Sequence, residues 1–219
     1  MERVQHTRLV NTQFTSNTYI LSKEEKKSVW VVDPGDVQPV FNWMQLNEKE
    51  MVAGILLTHT HFDHFYGATE ILQRFSCPIY IANEYGQNGL FDAKQNGSRY
   101  SDYGIVTVSN DTIVSLYPDK LSLWQNDELT VLSTPGHSED SVCLQVDDLL
   151  FTGDTLIYNL RTVTKLRGGD IVKLRDSIEL LQTLSGKGLR VCPGHNEEFM
   201  LDGYDVRKAL YSKAPTMSL

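Results

Sequence analysis

The residues with the clearest capacity for chemistry are four potential metal ligands crowded into one short stretch. They lie in Leu57-Thr-His-Thr-His-Phe-Asp-His64 and are His59, His61, Asp63 and His64. Imidazole and carboxylate groups are costly to bury unpaired, so such a cluster either lies in solvent or coordinates a cation. An apolar run of strand length, Met51 to Leu57, precedes the cluster, and a helical pattern, Gly67 to Phe75, follows it. We therefore predict a metal-binding loop between a strand and a helix.

Three more candidate ligands follow one common order of residues: an apolar strand, then a glycine, then the ligand. They are His137 in Thr134-Pro-Gly-His137, Asp154 in Thr152-Gly-Asp154 and His195 in Cys192-Pro-Gly-His195. Glycine permits the sharp or closely approaching backbone that a crowded site needs. A single Gly-His pair is more often an ordinary turn. Because His6 alone among the six histidines stands outside these ligand segments, we predict that the three residues complete a metal site.

The number of ligands predicts two metal ions, since a tetrahedral zinc ion takes four. The economical division is one group for each ion and one shared residue: His59, His61 and His137; Asp63, His64 and His195; and Asp154 between them. Two adjacent ions lower the pKa of a shared water and supply a bridging hydroxide at neutral pH. We predict a hydrolase with Asp63 and Asp154 as catalytic carboxylates. The ligand types favour zinc, and they also suit iron or manganese.

Composition narrows the class of substrate. The chain has 219 residues, a length typical of one domain, and its net charge of −8 opposes binding to a phosphate backbone. Its N-terminal residues are too polar for a secretory signal, and no apolar run approaches membrane-spanning length. Three cysteines without Cys-x-x-Cys spacing predict reduced thiols. We expect a single-domain cytoplasmic protein, residues 1–219, that acts on a small molecule and binds neither nucleic acid nor membrane.

Strand patterns dominate the rest of the chain. Thr18 to Leu21 and Val29 to Val32 read as two strands of a hairpin, and Asp33 ends the second of them. Asp33 is either a carboxylate that supports a metal ligand or an ordinary turn residue. Asp36 is placed to cap a following helix, as Asp170 is for a later one. Many strands with few helices predict an α+β or layered α/β fold.

Residues 83–104 lose this periodicity and contain many Asn, Gly, Tyr and Ser residues. A loop of this length inside a compact domain is commonly functional or mobile. We expect the segment to lie over the site.

The ordered motifs resemble those of the metallo-β-lactamase superfamily, particularly its glyoxalase II-like hydrolases. The segments that carry the likeness are Asp33-Pro-Gly35, Thr58 to His64, Leu90 to Ser98, Thr134 to His137, Thr152 to Leu156 and Cys192 to His195. The resemblance implies a four-layer αββα sandwich with a dinuclear site at one edge of its two sheets. It assigns the seven ligands as divided above and implies hydrolysis of a thioester or ester.

The segment Tyr158 to Arg167 departs from the pattern of persulfide dioxygenases and of many glyoxalase-like enzymes alike, and it leaves alternatives open. Persulfide dioxygenases share most of the ligands but use one iron, and a non-catalytic metal-binding protein is a third reading. This segment also holds three cations, Arg161, Lys165 and Arg167, in an acidic protein. They are candidates for binding an anionic substrate, and their alternative is a solvated loop.

Overall fold

Two mixed β-sheets carry most of the regular structure. The computed structural model describes residues 2–212, and within them each sheet has six strands. The first sheet contains, in spatial order, β1 (Gln5–Val10), β2 (Asn17–Ser22), β3 (Ser28–Val32), β4 (Met51–Leu56), β5 (Ile79–Ile81) and β6 (Val114–Leu116). The second contains β7 (Lys120–Trp124), β8 (Asp127–Ser133), β9 (Val142–Val146), β10 (Leu149–Gly153), β11 (Arg190–Pro193) and β12 (Phe199–Met200), with β12 and β7 at its edges.

The helices of the described residues are α1 (Val37–Leu46), α2 (Ala68–Arg74), α3 (Glu84–Phe91), α4 (Ile171–Gln182) and α5 (Lys208–Tyr211). Strands β3 to β6 pair in parallel, as do β10 and β11, whereas the other neighbours are antiparallel. Parallel neighbours need a long crossover connection, usually a helix. Helices α1, α2 and α3 lie in the crossovers of the first sheet, and α4 lies in that of the second.

Alternation along the strands divides the core into layers. In β2 and β3, Tyr19, Leu21 and Trp30 pack with residues of the second sheet, whereas Ile20 and Val31 pack with α1 and α2. Successive side chains of a strand point to opposite faces of its sheet, which produces this division. A third cluster packs the second sheet against α4 and α5. The result is the αββα sandwich that the family resemblance implies.

The predicted helix cap at Asp170 is confirmed, whereas the predicted cap at Asp36 is wrong. Asp170 accepts hydrogen bonds from the backbone N–H groups of Val172 and Lys173 at the start of α4. Asp36 stands at the N-cap position of α1 without capping it, because its carboxylate accepts from Thr12 and from the Tyr66 hydroxyl. The expectation of an irregular segment at 83–104 is also wrong in part, since α3 lies within it. No helix among residues 2–212 is long and apolar enough to cross a membrane.

Candidate metal centre

The seven predicted ligands come together at one edge of the sandwich. The loop after β4 supplies four of them and ends in a short 3-10 turn, Phe62–His64. The second sheet supplies the others at the ends of β8, β10 and β11: His137, Asp154 and His195. The strands therefore fix the ligand backbones from both sheets, as the sequence pattern indicates.

Potential ligand atoms lie within 4.8 Å of one another in three overlapping groups at this edge: His59, His61 and His137; His59, His64 and Asp154; and Asp63, His64 and His195. The first of these, the all-histidine group, contains three imidazoles at nearly right angles to one another. The last, the carboxylate group, places Asp63 Oδ2 3.4 Å from His195 Nε2 and 3.6 Å from His64 Nε2.

Asp154 lies between the two groups and turns one oxygen towards each. Its Oδ2 is 3.5 Å from His137 Nε2, and its Oδ1 is 3.5 Å from both His64 Nε2 and His195 Nε2. A Cβ added to Gly194 would come within 2.4 Å of Asp154 Oδ1, so the space beside this carboxylate depends on glycine. The arrangement gives one carboxylate access to both groups.

Three of the converging atoms are buried without a hydrogen-bond partner among the described residues. They are His59 Nε2, His64 Nε2 and Asp154 Oδ1. Buried polar atoms in native proteins are nearly always paired, so each such atom needs an explanation. Imidazole nitrogen and carboxylate oxygen are both good ligands for divalent ions. The residues present therefore fit bound divalent cations.

Two imidazoles of the all-histidine group, those of His59 and His61, are kept uncharged. Burial, followed by repulsion from neighbouring imidazoles, lowers the pKa of His59 well below its usual value. Burial and His137 lower the pKa of His61 to about 3, although Asp63 and Asp154 oppose the change. A neutral imidazole offers the lone pair that a metal ion requires.

The carboxylate group has the opposite electrostatics. Burial alone would lower the pKa of His64, but the negative charges of Asp63, Asp154 and Asp33 raise it to about 10. The pKa of His195 is also raised, because Asp154 and Asp63 outweigh the effect of burial. The pKa of Asp63 is lowered well below its usual value, since His64 and His195 outweigh burial. The carboxylates of this group therefore favour positive charge on the imidazoles of His64 and His195.

Asp33 forms hydrogen bonds to the ligand loop and to the ring of His64. Its carboxylate accepts the backbone N–H of Thr58 at 2.8 Å and the Thr58 hydroxyl at 2.6 Å, and its Oδ2 lies 3.0 Å from His64 Nδ1. A hydrogen bond at Nδ1 leaves Nε2 of the ring free for a metal. Asp33 thus contacts both the ligand loop and the imidazole of His64.

Asp140 is a supporting residue that the sequence reasoning missed. It is buried, and its Oδ2 accepts the backbone N–H of Thr60 at 2.9 Å and the Thr60 hydroxyl at 2.7 Å. Its Oδ1 accepts the hydroxyl of Ser138, the residue after His137. Asp140 thus joins the two loops that carry the all-histidine group. The available signal was an acidic residue three positions after a candidate ligand.

Two further contacts of the centre come from backbone carbonyl groups. His137 Nδ1 lies 2.8 Å from the carbonyl oxygen of Val163, and His195 Nδ1 lies 3.0 Å from that of Phe14. The first contact brings the segment with Arg161, Lys165 and Arg167 next to the all-histidine group. The side chains of these three cations are exposed to solvent.

Comparison with known families decides the relationship. The family model described as Metallo-beta-lactamase superfamily matches residues 11–195 of this chain. The chain belongs to the metallo-β-lactamase superfamily. A hydroxyacylglutathione hydrolase of Nitrosomonas europaea is 27% identical over 201 residues, which cover 92% of this chain and 67% of the relative. Another, of Idiomarina loihiensis, is 30% identical over 138 residues, or 63% of this chain and 46% of the relative.

The structure of this chain is also similar to the crystal structure of the BLEG-1 B3 metallo-β-lactamase. It superposes with a TM-score of 0.79 and 28% sequence identity, covering 90% of this chain and 94% of the other. The matched region spans about half to two thirds of the curated relatives named above. This chain and the proteins named above therefore share the superfamily and its fold. The activity in the name hydroxyacylglutathione hydrolase is that of the relatives.

Proposed function

We propose that the chain, as one domain of residues 1–219, is a hydrolase that cleaves a small thioester or ester at a centre of two divalent ions, chiefly zinc. The observation that carries the proposal is the position of Asp154, whose two oxygens face different histidines at 3.5 Å. A carboxylate in this position is suited to serve two ions at once. The names of the hydroxyacylglutathione hydrolase relatives support a thioester as the substrate class.

Each ion has a defined set of residues in this proposal. The all-histidine group would hold one, the carboxylate group would hold the other, and Asp154 would serve both. Bound divalent ions would supply a Lewis acid for the carbonyl oxygen and a water acidic enough to act as hydroxide at neutral pH.

The protein's own groups contribute charge, orientation and proton transfer. The lowered pKa values of Asp63 and Asp154 keep both carboxylates ionised at neutral pH. Asp63 turns only its Oδ2 towards His64 and His195, so its other oxygen can accept the proton of an attacking water. Asp33 and Asp140 hold the ligand loop through hydrogen bonds to Thr58 and Thr60. Preorganised groups of this kind stabilise developing charge without having to rearrange during the reaction.

The cations of the segment after Asp154 suit a substrate with a negative charge. Arg161, Lys165 and Arg167 are exposed, and the Val163 carbonyl between them lies 2.8 Å from His137 Nδ1. We propose that they attract the anionic end of the substrate towards the all-histidine group.

Elemental analysis of protein purified without added metal tests the proposal, together with assays on thioesters and esters. We expect close to two ions per chain, mostly zinc, and hydrolysis that a chelator abolishes and zinc restores. One iron per chain with oxygen consumption on a persulfide would instead indicate a dioxygenase. Protein that binds no metal above the histidine titration range would contradict both activities.

A further inference from the structure

The loop between β1 and β2, residues 11–16, is fastened to the carboxylate group. The Ser16 hydroxyl donates a 2.7 Å hydrogen bond to the carbonyl oxygen of Asp63. Ser16 also forms an isolated antiparallel bridge with His195, whose Nδ1 lies 3.0 Å from the Phe14 carbonyl oxygen. The backbone of Phe14 therefore has a fixed position beside two of the predicted ligands.

Phe14 occupies this position against its conformational preference. Its φ angle is +50°, and that of Thr15 is +53°. A bulky or β-branched residue with positive φ is an outlier, and such residues collect at functional sites. The Phe14 side chain is nevertheless 48% exposed. The fold thus keeps a large apolar ring exposed to solvent. Burial of this ring does little to offset the unfavourable backbone conformation at Phe14.

Further aromatic rings lie beside Phe14; Tyr103 is exposed as Phe14 is, whereas Phe62 and Tyr66 are buried. Its ring meets that of Phe62 edge to face, with centroids 5.7 Å apart, and Phe62 lies between the ligands His61 and Asp63 in the chain. The Phe62 ring stacks on Tyr103 at 6.3 Å, and Tyr103 contacts Tyr66 at 4.9 Å. We call Phe14, Phe62, Tyr66 and Tyr103 the aromatic rim.

We propose that Phe14 and Tyr103, the exposed rings of the aromatic rim, bind an apolar acyl chain of the substrate, an inference that rests on the proposed hydrolase function. The rim adjoins the carboxylate group, whereas the cations of residues 161–167 adjoin the all-histidine group. A substrate whose carbonyl reaches the metal centre then has two different surroundings for its two ends. The anionic leaving group lies towards the cations, and the acyl chain lies across the rim.

A series of thioesters that share one anionic thiol and differ in acyl length, from acetyl to octanoyl, tests this assignment. Burial of each methylene on the rings should raise kcat/KM by about two- to fourfold in the wild-type protein. Phe14→Asn should flatten this dependence, because asparagine tolerates positive φ but removes the ring. Leu46→Asn removes an apolar side chain that is 83% exposed at the end of α1 and should leave the dependence as in wild type.

Calorimetric binding of the corresponding carboxylic acids separates this inference from the proposed function. Tighter binding of longer acids, lost in Phe14→Asn, supports the rim even if no thioester is hydrolysed, a result that would contradict the hydrolase proposal alone. Hydrolysis with no effect of acyl length on kcat/KM or on binding would overturn the rim assignment. Dependence on the length of the thiol, and not of the acyl chain, would overturn it as well.

Discussion

The all-histidine group and the carboxylate group meet at Asp154, yet the two groups differ in the charge that their surroundings favour. Burial and mutual repulsion keep His59 and His61 uncharged. In the other group, carboxylates raise the pKa of His64 to about 10 and also raise that of His195. The first group therefore offers geometry and lone pairs, and the second offers negative charge.

The largest expected effect comes from the residue between the groups. Asp154→Asn preserves size and shape but removes the charge and one of two equivalent oxygens. We expect a folded variant with less metal and a loss of hydrolysis of at least about 100-fold, the scale of losing one preorganised electrostatic group. Metal analysis, circular dichroism and turnover measure the three properties. Near-normal turnover with a full metal complement would remove Asp154 from the centre and end the comparison.

An intermediate effect should separate the two supporting carboxylates. Asp140→Asn disturbs Thr60 and Ser138 and should weaken metal binding at the all-histidine group by about 10- to 100-fold, the usual range for residues that hold a ligand in place. Asp33→Asn, its matched control, should act on the carboxylate group through His64. Titration with a competing chelator measures both affinities. Equal loss of both ions in each variant would mean that the groups are not independent.

The smallest effect concerns the exposed cations. Replacing Arg161, Lys165 and Arg167 by glutamine should raise KM for anionic substrates by about two- to fivefold, since exposed charge pairs contribute little. The effect should shrink with added salt, and KM for neutral esters should stay constant. Lys187→Gln, on an exposed position after α4, is the control. An unchanged KM for both substrate classes would identify the segment as a solvated loop.

Much of the candidate site could be predicted from the sequence because its candidate ligands follow strands. Apolar runs ending in glycine placed His137, Asp154 and His195 at strand ends, and the two sheets bring those ends together. Asp140 was not found, because its role depends on Thr60 in a distant part of the sequence. No local pattern records such a contact.

Helix α3 was missed for a physical reason that also concerns the site. It contains Gly86 and Gly89, and glycine disfavours a helix interior by about 1 kcal/mol. A Cβ at Gly89 would lie 2.3 Å from the Thr60 hydroxyl, and one at Gly86 would lie 3.0 Å from Asp140 Oδ2. The residues that conceal the helix in the sequence are those that allow it to pack against the ligand loop. Tertiary contact has overridden local propensity here.

The supply of ligands from both sheets has a consequence for the protein's lifetime. The loop after β4 belongs to the first sheet, whereas His137, Asp154 and His195 follow strands of the second. Ions held there would join the two halves of the sandwich and bind the folded chain in preference to the unfolded one. At a free-ion concentration 100 times the dissociation constant, such linkage adds about 2.7 kcal/mol per site to the free energy of unfolding. Resistance to unfolding and to proteolysis would then follow the supply of metal by mass action.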